Sequence, residues 1–168
     1  MQIEYLAVVD DNDQIIDRRP RSEIHALQLR HRAVHILVFN QQGELFLQKR
    51  SMKKDLNQGL WDSSAAGHVD DGESYNSSAP RELQEELGVN ANLLPLFKLN
   101  PSAELGMEFI QVYHCQHNGP FVLAIDEIDE GRWITCQEAD QRVVDNDDTL
   151  TETFKIIWRR FRTDNNAG

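Results

Sequence analysis

Apolar residues fall in short runs along most of the chain, and their spacing separates strands from helices. Residues 3–9 and 14–17 flank the polar turn Asp10-Asp11-Asn12-Asp13 and read as a small hairpin. A polar stretch with Pro20 follows, where Ser22 is placed to cap a short helical turn. Residues 34–39 form a continuous apolar run, Asn40-Gln41-Gln42-Gly43 turns the chain, and Leu45-Phe46-Leu47 completes the clearest hairpin. Residues 59–72 hold Gly59, Gly67 and Gly72 among small serines and alanines and read as irregular. A helix over 81–87 stops at Gly88, a good residue for the left-handed position after a helix. Further strands are expected at 93–99, 108–114 and 131–135, and closing helices at 137–143 and 149–161. In the last, Leu150, Phe154, Ile157, Trp158 and Phe161 recur at helical spacing, a stripe that serves a core better than a ligand. The tail 163–168 should fray. Strands interleaved with a few helices predict a layered α/β or α+β domain.

Length and composition narrow this picture. The 168 residues suit one domain, and 40% hydrophobic with 27% charged residues suits a soluble globular chain with a real core. No apolar run approaches the ~20 residues needed to span a bilayer. The start Met-Gln-Ile-Glu-Tyr lacks a basic region followed by an apolar core, so the cytoplasm is the expected compartment. Cys115 and Cys136 form no CxxC spacing and are expected to be buried free thiols. Seventeen Lys plus Arg against twenty-eight Asp plus Glu leave a formal charge of -11, which argues against a broad nucleic-acid surface.

Within Arg81-Glu82-Leu83-Gln84-Glu85-Glu86-Leu87-Gly88, the three glutamates stand at i, i+3 and i+4 and share one helix face. Like charges at that spacing destabilise a helix slightly, and one arginine does not neutralise three carboxylates. Hard divalent cations prefer such oxygen ligands; magnesium takes one or two carboxylates, several waters and phosphate oxygens. A solvated acidic face is the other reading of these residues.

The preceding loop adds Gly67-His68-Val69-Asp70-Asp71-Gly72-Glu73, then seven residues to Arg81-Glu82. With Gly67, Glu73, Arg81, Glu82, Leu83, Glu85, Glu86, Gly88 and Val89 all matching, the segment resembles the Nudix box, and the resemblance extends over about 31–138. The resemblance implies an α/β/α sandwich with a mixed sheet, here with an added N-terminal hairpin: residues 1–30 packed on a domain at 31–162, then the tail at 163–168. It implies a hydrolase in which water attacks phosphorus of a diphosphate linkage. It assigns Mg2+, with Mn2+ able to stand in, to the Gly67 carbonyl and to Glu82, Glu85 and Glu86. Glu85 doubles as a general-base candidate. Glu73 and Arg81 would hold loop against helix. The base varies in the family, so Glu127 and Glu130, before Trp133, are further candidates, against the reading of a solvated acidic loop. Arg50 and Lys49, at the end of the run 45–48, could reach substrate phosphates; a guanidinium can grip two oxygens. A small-molecule diphosphate is the expected partner, without nucleic acid or membrane, and a homodimer is compatible by resemblance only.

Pro80 lacks an N–H and precedes the ligand-bearing turn, so the helix is expected to start late, near Ser77 or Ser78, or to bend there. The stretch from Leu29 through Gln48-Lys49-Arg50 also resembles type I isopentenyl-diphosphate isomerases, a Nudix branch that moves a double bond. Their metal site uses histidines and glutamates, and His31, His68 and Glu108 fall at matching positions. The segment Trp61 to His68 has alanine where the isomerase thiol should stand, and for His31 and His68 hydrogen-bonded structural histidines are the favoured reading over metal ligation. A non-catalytic nucleotide sensor is the third reading, and such domains commonly lose box glutamates that this chain keeps. Trp61, Phe109 and Tyr113 could stack a base, although aromatics in strands more often pack a core.

Overall fold

The computed structural model describes residues 2–166. It begins with an antiparallel hairpin of β1 (Tyr5–Val9) and β2 (Ile15–Pro20) and a short helix α1 (Arg21–Leu27). Leu6 and Val8 of β1 and Ile24 of α1 bury together in a small cluster of their own. β2 is exposed and carries Asp17, Arg18 and Arg19, charges that blunt an edge strand. Ser22 lies inside α1 and does not cap it; the N-cap is Pro20, without a side-chain bond. The turn expected between the strands does more than reverse the chain. Asp13, at φ 60°, is buried and accepts from Arg32 Nε at 2.7 Å, Tyr75 Oη at 2.7 Å and Lys98 Nζ at 2.6 Å. One carboxylate thus ties the hairpin to three other elements.

The main sheet runs β5 (Trp61–Asp62), β4 (Leu45–Arg50), β3 (His31–Phe39), β8 (Glu108–Gln116), β7 (Leu94–Leu99), with β6 (Ala65–His68) on β3 and β9 (Ile128–Ile134) on β4. Pairs are antiparallel except β3 with β8, so the sheet is mixed. β3 alternates its faces as a strand buried on both sides should. Val34, Ile36 and Val38 pack with Ala79, Leu83 and Leu87 of α2 (Tyr75–Leu87). Ala33 and Leu37 turn the other way, toward Phe154, Ile157 and Trp158 of α4 (Glu152–Asn166) and Ala139 and Val143 of α3 (Cys136–Val144). The expected core stripe of the last helix is in place, and the domain is an α/β/α sandwich. That helix continues to Asn166, so most of the tail expected to fray is helical; residues 167 and 168 lie outside the described residues.

Two further expectations are corrected. The β3–β4 hairpin closes only at Phe39 and Leu45, and beyond that pair the strands part. Ser64 fills the wedge: Val38 N donates to its Oγ at 2.8 Å, and that hydroxyl donates to Phe46 O. Residues 59–72, read as irregular, supply β5 and β6 because the parted strands need new partners. Helix α2 starts at Tyr75, not near Ser77 or Ser78. Ser74 and Ser77 cap each other reciprocally, at 3.1 Å (Ser77 N to Ser74 Oγ) and 3.0 Å (Ser74 N to Ser77 Oγ), and fix the first turn upstream of Pro80. Cys115 is buried and free as expected, whereas Cys136 is only partly buried. Among the described residues no helix is long and apolar enough to cross a membrane.

Candidate active site

α2 is pinned at its far end by Gly88, at φ 70°, whose N–H donates to Gln84 O at 3.0 Å. A Cβ there would meet Val122 at 3.2 Å, so the stop position is also closely packed. With Leu83 and Leu87 in the core, the neighbouring face delivers Glu82, Glu85 and Glu86 to a cavity of about 720 Å³. Gly67, His68, Arg81, Lys54 and Glu127 line the same cavity.

Glu86 is 6% exposed and its Oε1 accepts from Ala66 N at 2.8 Å and Gln48 Nε2 at 3.0 Å. Burial pushes its carboxyl up to about 7 against those two hydrogen bonds, and the charge of Glu127 adds to the rise. Glu82 is pushed up to about 8, first by burial and then by the charge of Glu86, with Arg81 opposing. Arg81 organises the rest. Its Nε and Nη2 grip Glu73 at 2.8 Å each, Nη2 reaches His68 O at 3.1 Å, and Nη1 donates to Glu82 at 2.9 Å and Glu85 at 3.1 Å. Glu73 also accepts from Asp70 N and Ser78 Oγ, and the Arg81 contact leads in holding its carboxyl below the usual range. These bonds lash the loop to the helix.

The donors suit a hard divalent cation. Two carboxylates that hold protons near neutrality are short of positive charge, and a cation would supply it. Gly67 adds a steric argument, since a Cβ there would lie 2.1 Å from Cδ and Oε1 of Glu82. With any side chain there, the Glu82 carboxyl would have to swing aside. As the side chains stand, Arg81 holds Glu82 and Glu85 while Gln48 and Ala66 hold Glu86. A cation would have to draw Glu82 and Glu85 away from the guanidinium.

Not every residue singled out in the sequence reaches the cavity. Glu127 lines it, in an ion pair with Lys54. Glu130 pairs with Arg132 at 3.2 Å and is registered with Lys49 in the β4–β9 ladder, and neither Glu130 nor Lys49 lines the cavity. Arg50 lines it but is engaged by Leu56 O at 3.1 Å and stands 3.7 Å from Asp62. Trp61, Phe109 and Tyr113 are buried in the core and line no part of it. Lys54, Arg21 and His25 do line it and were not legible, because nothing local in a polar loop or a short helix reports what it will face.

The imidazoles of His25, His31 and His68 cluster at one end, with ring centroids 5.1 to 5.5 Å apart. One nitrogen from each lies within 4.8 Å of the others, and among the described residues this is the group that converges so closely. His31 Nδ1 is bonded to Leu29 O at 2.8 Å, while its buried Nε2 makes no hydrogen bond although Glu108 Oε1 is 3.5 Å away. His68 Nε2 meets the same oxygen at 3.3 Å. Burial raises the Glu108 carboxyl, but the two imidazoles outweigh that and hold it low; burial keeps His25 down at about 4. The reading of His31 as a satisfied structural histidine therefore covers only one of its nitrogens.

The NUDIX domain model matches residues 29–154, and the chain belongs to this family. It is a hydrolase acting on acid anhydrides. A Nudix hydrolase of Yersinia pestis is 34% identical across 83% of this chain and 78% of its own length. An isopentenyl-diphosphate Delta-isomerase of Serratia proteamaculans is 32% identical across 93% of this chain and 90% of its own. Among solved structures, DR0079 of Deinococcus radiodurans superposes with a TM-score of 0.84 at 26% identity, covering 94% of this chain and 98% of that one.

Proposed function

We propose that the chain hydrolyses a diphosphate linkage in a nucleoside diphosphate derivative or related organic diphosphate, with Mg2+ as its cation and Mn2+ able to replace it. The observation that carries this reading is the convergence of Glu82, Glu85 and Glu86 on one cavity, with Gly67 so close to Glu82 that a Cβ there would displace the carboxyl. Glu82, Glu85, Glu86 and the Gly67 carbonyl would hold the cation. When bound, it would neutralise phosphate charge and lower the pKa of a coordinated water. Glu127 is the better general base than Glu130, because it shares the cavity with Glu86. It takes a proton from water as the water oxygen bonds to phosphorus and the bridging P–O bond breaks, leaving a phosphate-bearing product. Lys54, which lines the cavity in an ion pair with Glu127, is the candidate cation for the substrate phosphates. Arg50 is too committed to Asp62 and Leu56 to be first choice.

The histidine cluster supports a second cation position. Three imidazole nitrogens with Glu108 beside them form a borderline-soft donor set, suited to Zn2+ or Mn2+ more than to Mg2+. The isomerase resemblance points to three of these residues, His31, His68 and Glu108. It does not bring the isomerase reaction with it, since Ala66 offers no thiol.

The test is a panel of nucleoside diphosphate derivatives and organic diphosphates, incubated with Mg2+ in ¹⁸O water and analysed by mass. Label in a phosphate product, lost with chelator, is expected. Turnover of isopentenyl diphosphate to its isomer, with no labelled phosphate from any substrate, would contradict it.

A further inference from the structure

Gln48 is a polar side chain on an apolar face. On β4 it follows Phe46 by two residues and so points the same way, and Phe46 belongs to the core cluster of Leu83 and Leu87. Gln48 is 3% exposed, in a place where a leucine would continue the core. A buried amide costs stability unless its polar atoms are bonded. Its Nε2 donates to Ser64 O at 3.2 Å and to Glu86 Oε1 at 3.0 Å. A backbone carbonyl can only accept, so the contact with Ser64 O fixes which end of the amide carries the hydrogens. Both N–H groups are then spent, one on the backbone and one on the carboxylate.

Glu86 Oε1 has a second donor. Ala66 N reaches it at 2.8 Å, so β4 and β6 each send one N–H to the same oxygen and together fill its two lone pairs. Oε2 accepts no hydrogen bond among the described residues, and Glu86 lines the cavity. One oxygen is anchored and the other is left for a ligand. Two donors on different strands also hold the carboxyl group against rotation.

The number of free oxygens matters to the choice of cation. Mg2+ demands near-ideal octahedral geometry, which a carboxylate serves with one oxygen, whereas Ca2+ gathers more oxygens and readily takes both from one carboxylate. We propose that Gln48 is a positioning residue that commits Glu86 to meet the cation through Oε2 alone, and thereby tunes the site toward Mg2+ and away from Ca2+. The proposal rests on the cation site of the diphosphate-hydrolase reading and adds to it how Glu86 is presented.

Calorimetry on the full chain, titrated with Mg2+ and separately with Ca2+, gives the ratio of the two affinities. In Gln48→Met, close in size but without donors, Mg2+ affinity should fall roughly ten- to hundredfold, the usual loss when a metal ligand's hydrogen-bond partner is removed. Ca2+ affinity should fall less, because the freed Oε1 lone pair serves it, so the ratio should move at least about fivefold toward Ca2+. Gln48→Asn keeps an amide in the slot but is one methylene short of Glu86. It should move the ratio the same way, and it carries the test should the methionine variant not fold by circular dichroism. Ser64→Ala is the control: it loosens the wedge between β3 and β4 but keeps the Ser64 carbonyl, so stability should drop with the ratio unmoved. An unmoved ratio in the Gln48 variants, or an equal shift in Ser64→Ala, would overturn the positioning role alone. Wild-type protein that binds neither Mg2+ nor Mn2+, even with pyrophosphate present, would overturn the hydrolase reading and this proposal together.

Discussion

Replacing Glu82 by glutamine should make the cation-free protein more stable while ending its activity, two effects of opposite sign from one atom change. The carboxyl is pushed up to about 8 in the fold, chiefly by burial, against 4.5 when free. Below about pH 4.5 it is protonated in both states and contributes no difference. Between 4.5 and 8 the native state keeps a proton that the unfolded chain has released, so stability falls as pH rises, at up to ~1.4 kcal/mol per pH unit. Above 8 the penalty is complete. Glutamine never takes the charge, and its carbonyl can still accept from Arg81 Nη1. After discounting for water at the cavity wall, Glu82→Gln should gain roughly 2–4 kcal/mol over wild type at pH 9, and little at pH 5. For a chain of this size that is a Tm rise of roughly 6–12 °C. The assay is thermal and urea unfolding in chelator from pH 5 to 9, repeated with Mg2+. Mg2+ should stabilise wild type most at high pH and leave the variant unmoved. A variant less stable than wild type at pH 9 in chelator would refute the claim that this carboxylate is held there at a cost.

Gly67→Ala would force the Glu82 carboxyl aside, since an added Cβ would lie 2.1 Å from it; turnover should fall at least about a hundredfold and Mg2+ affinity with it, while circular dichroism stays native. Glu127→Gln should lower kcat by roughly a hundredfold or more, as removal of a base does, whereas Glu130→Gln should stay within about twofold; the reverse ranking in steady-state kinetics would move the base. Ser64→Ala leaves Val38 N and Phe46 O without their bridge in the wedge between β3 and β4, and urea titration should find a loss of roughly 1–3 kcal/mol.

What could be read from the chain was what depends on neighbours a few residues away. The stop at Gly88, the stripe from Phe154 to Trp158 and the spacing that sets Glu82, Glu85 and Glu86 on one face are all helical periodicity. The start of α2 is hidden in the sequence because the reciprocal cap that fixes it upstream of Pro80 is a serine pair, Ser74 and Ser77, where an acidic partner is the usual signal. The rest is long-range closure. Asp13 looks like any turn aspartate until Arg32, Tyr75 and Lys98 arrive from distant positions. Lys49 and Lys54 look alike in sequence, and strand register turns the first away while an irregular loop brings the second to Glu127. His25 enters the cavity only because the β1–β2 hairpin and α1 fold back against the β3 end of the sheet.

Mg2+ titration by calorimetry at pH 7.5, in two buffers of different ionisation enthalpy, addresses the carboxylate centre itself. Cation uptake should expel protons held by Glu82 and Glu86, giving a binding heat that depends on the buffer and disappears in Glu82→Gln. A wild-type protein that takes up no Mg2+ or Mn2+, even with pyrophosphate present, or that binds it without releasing a proton, would contradict the account.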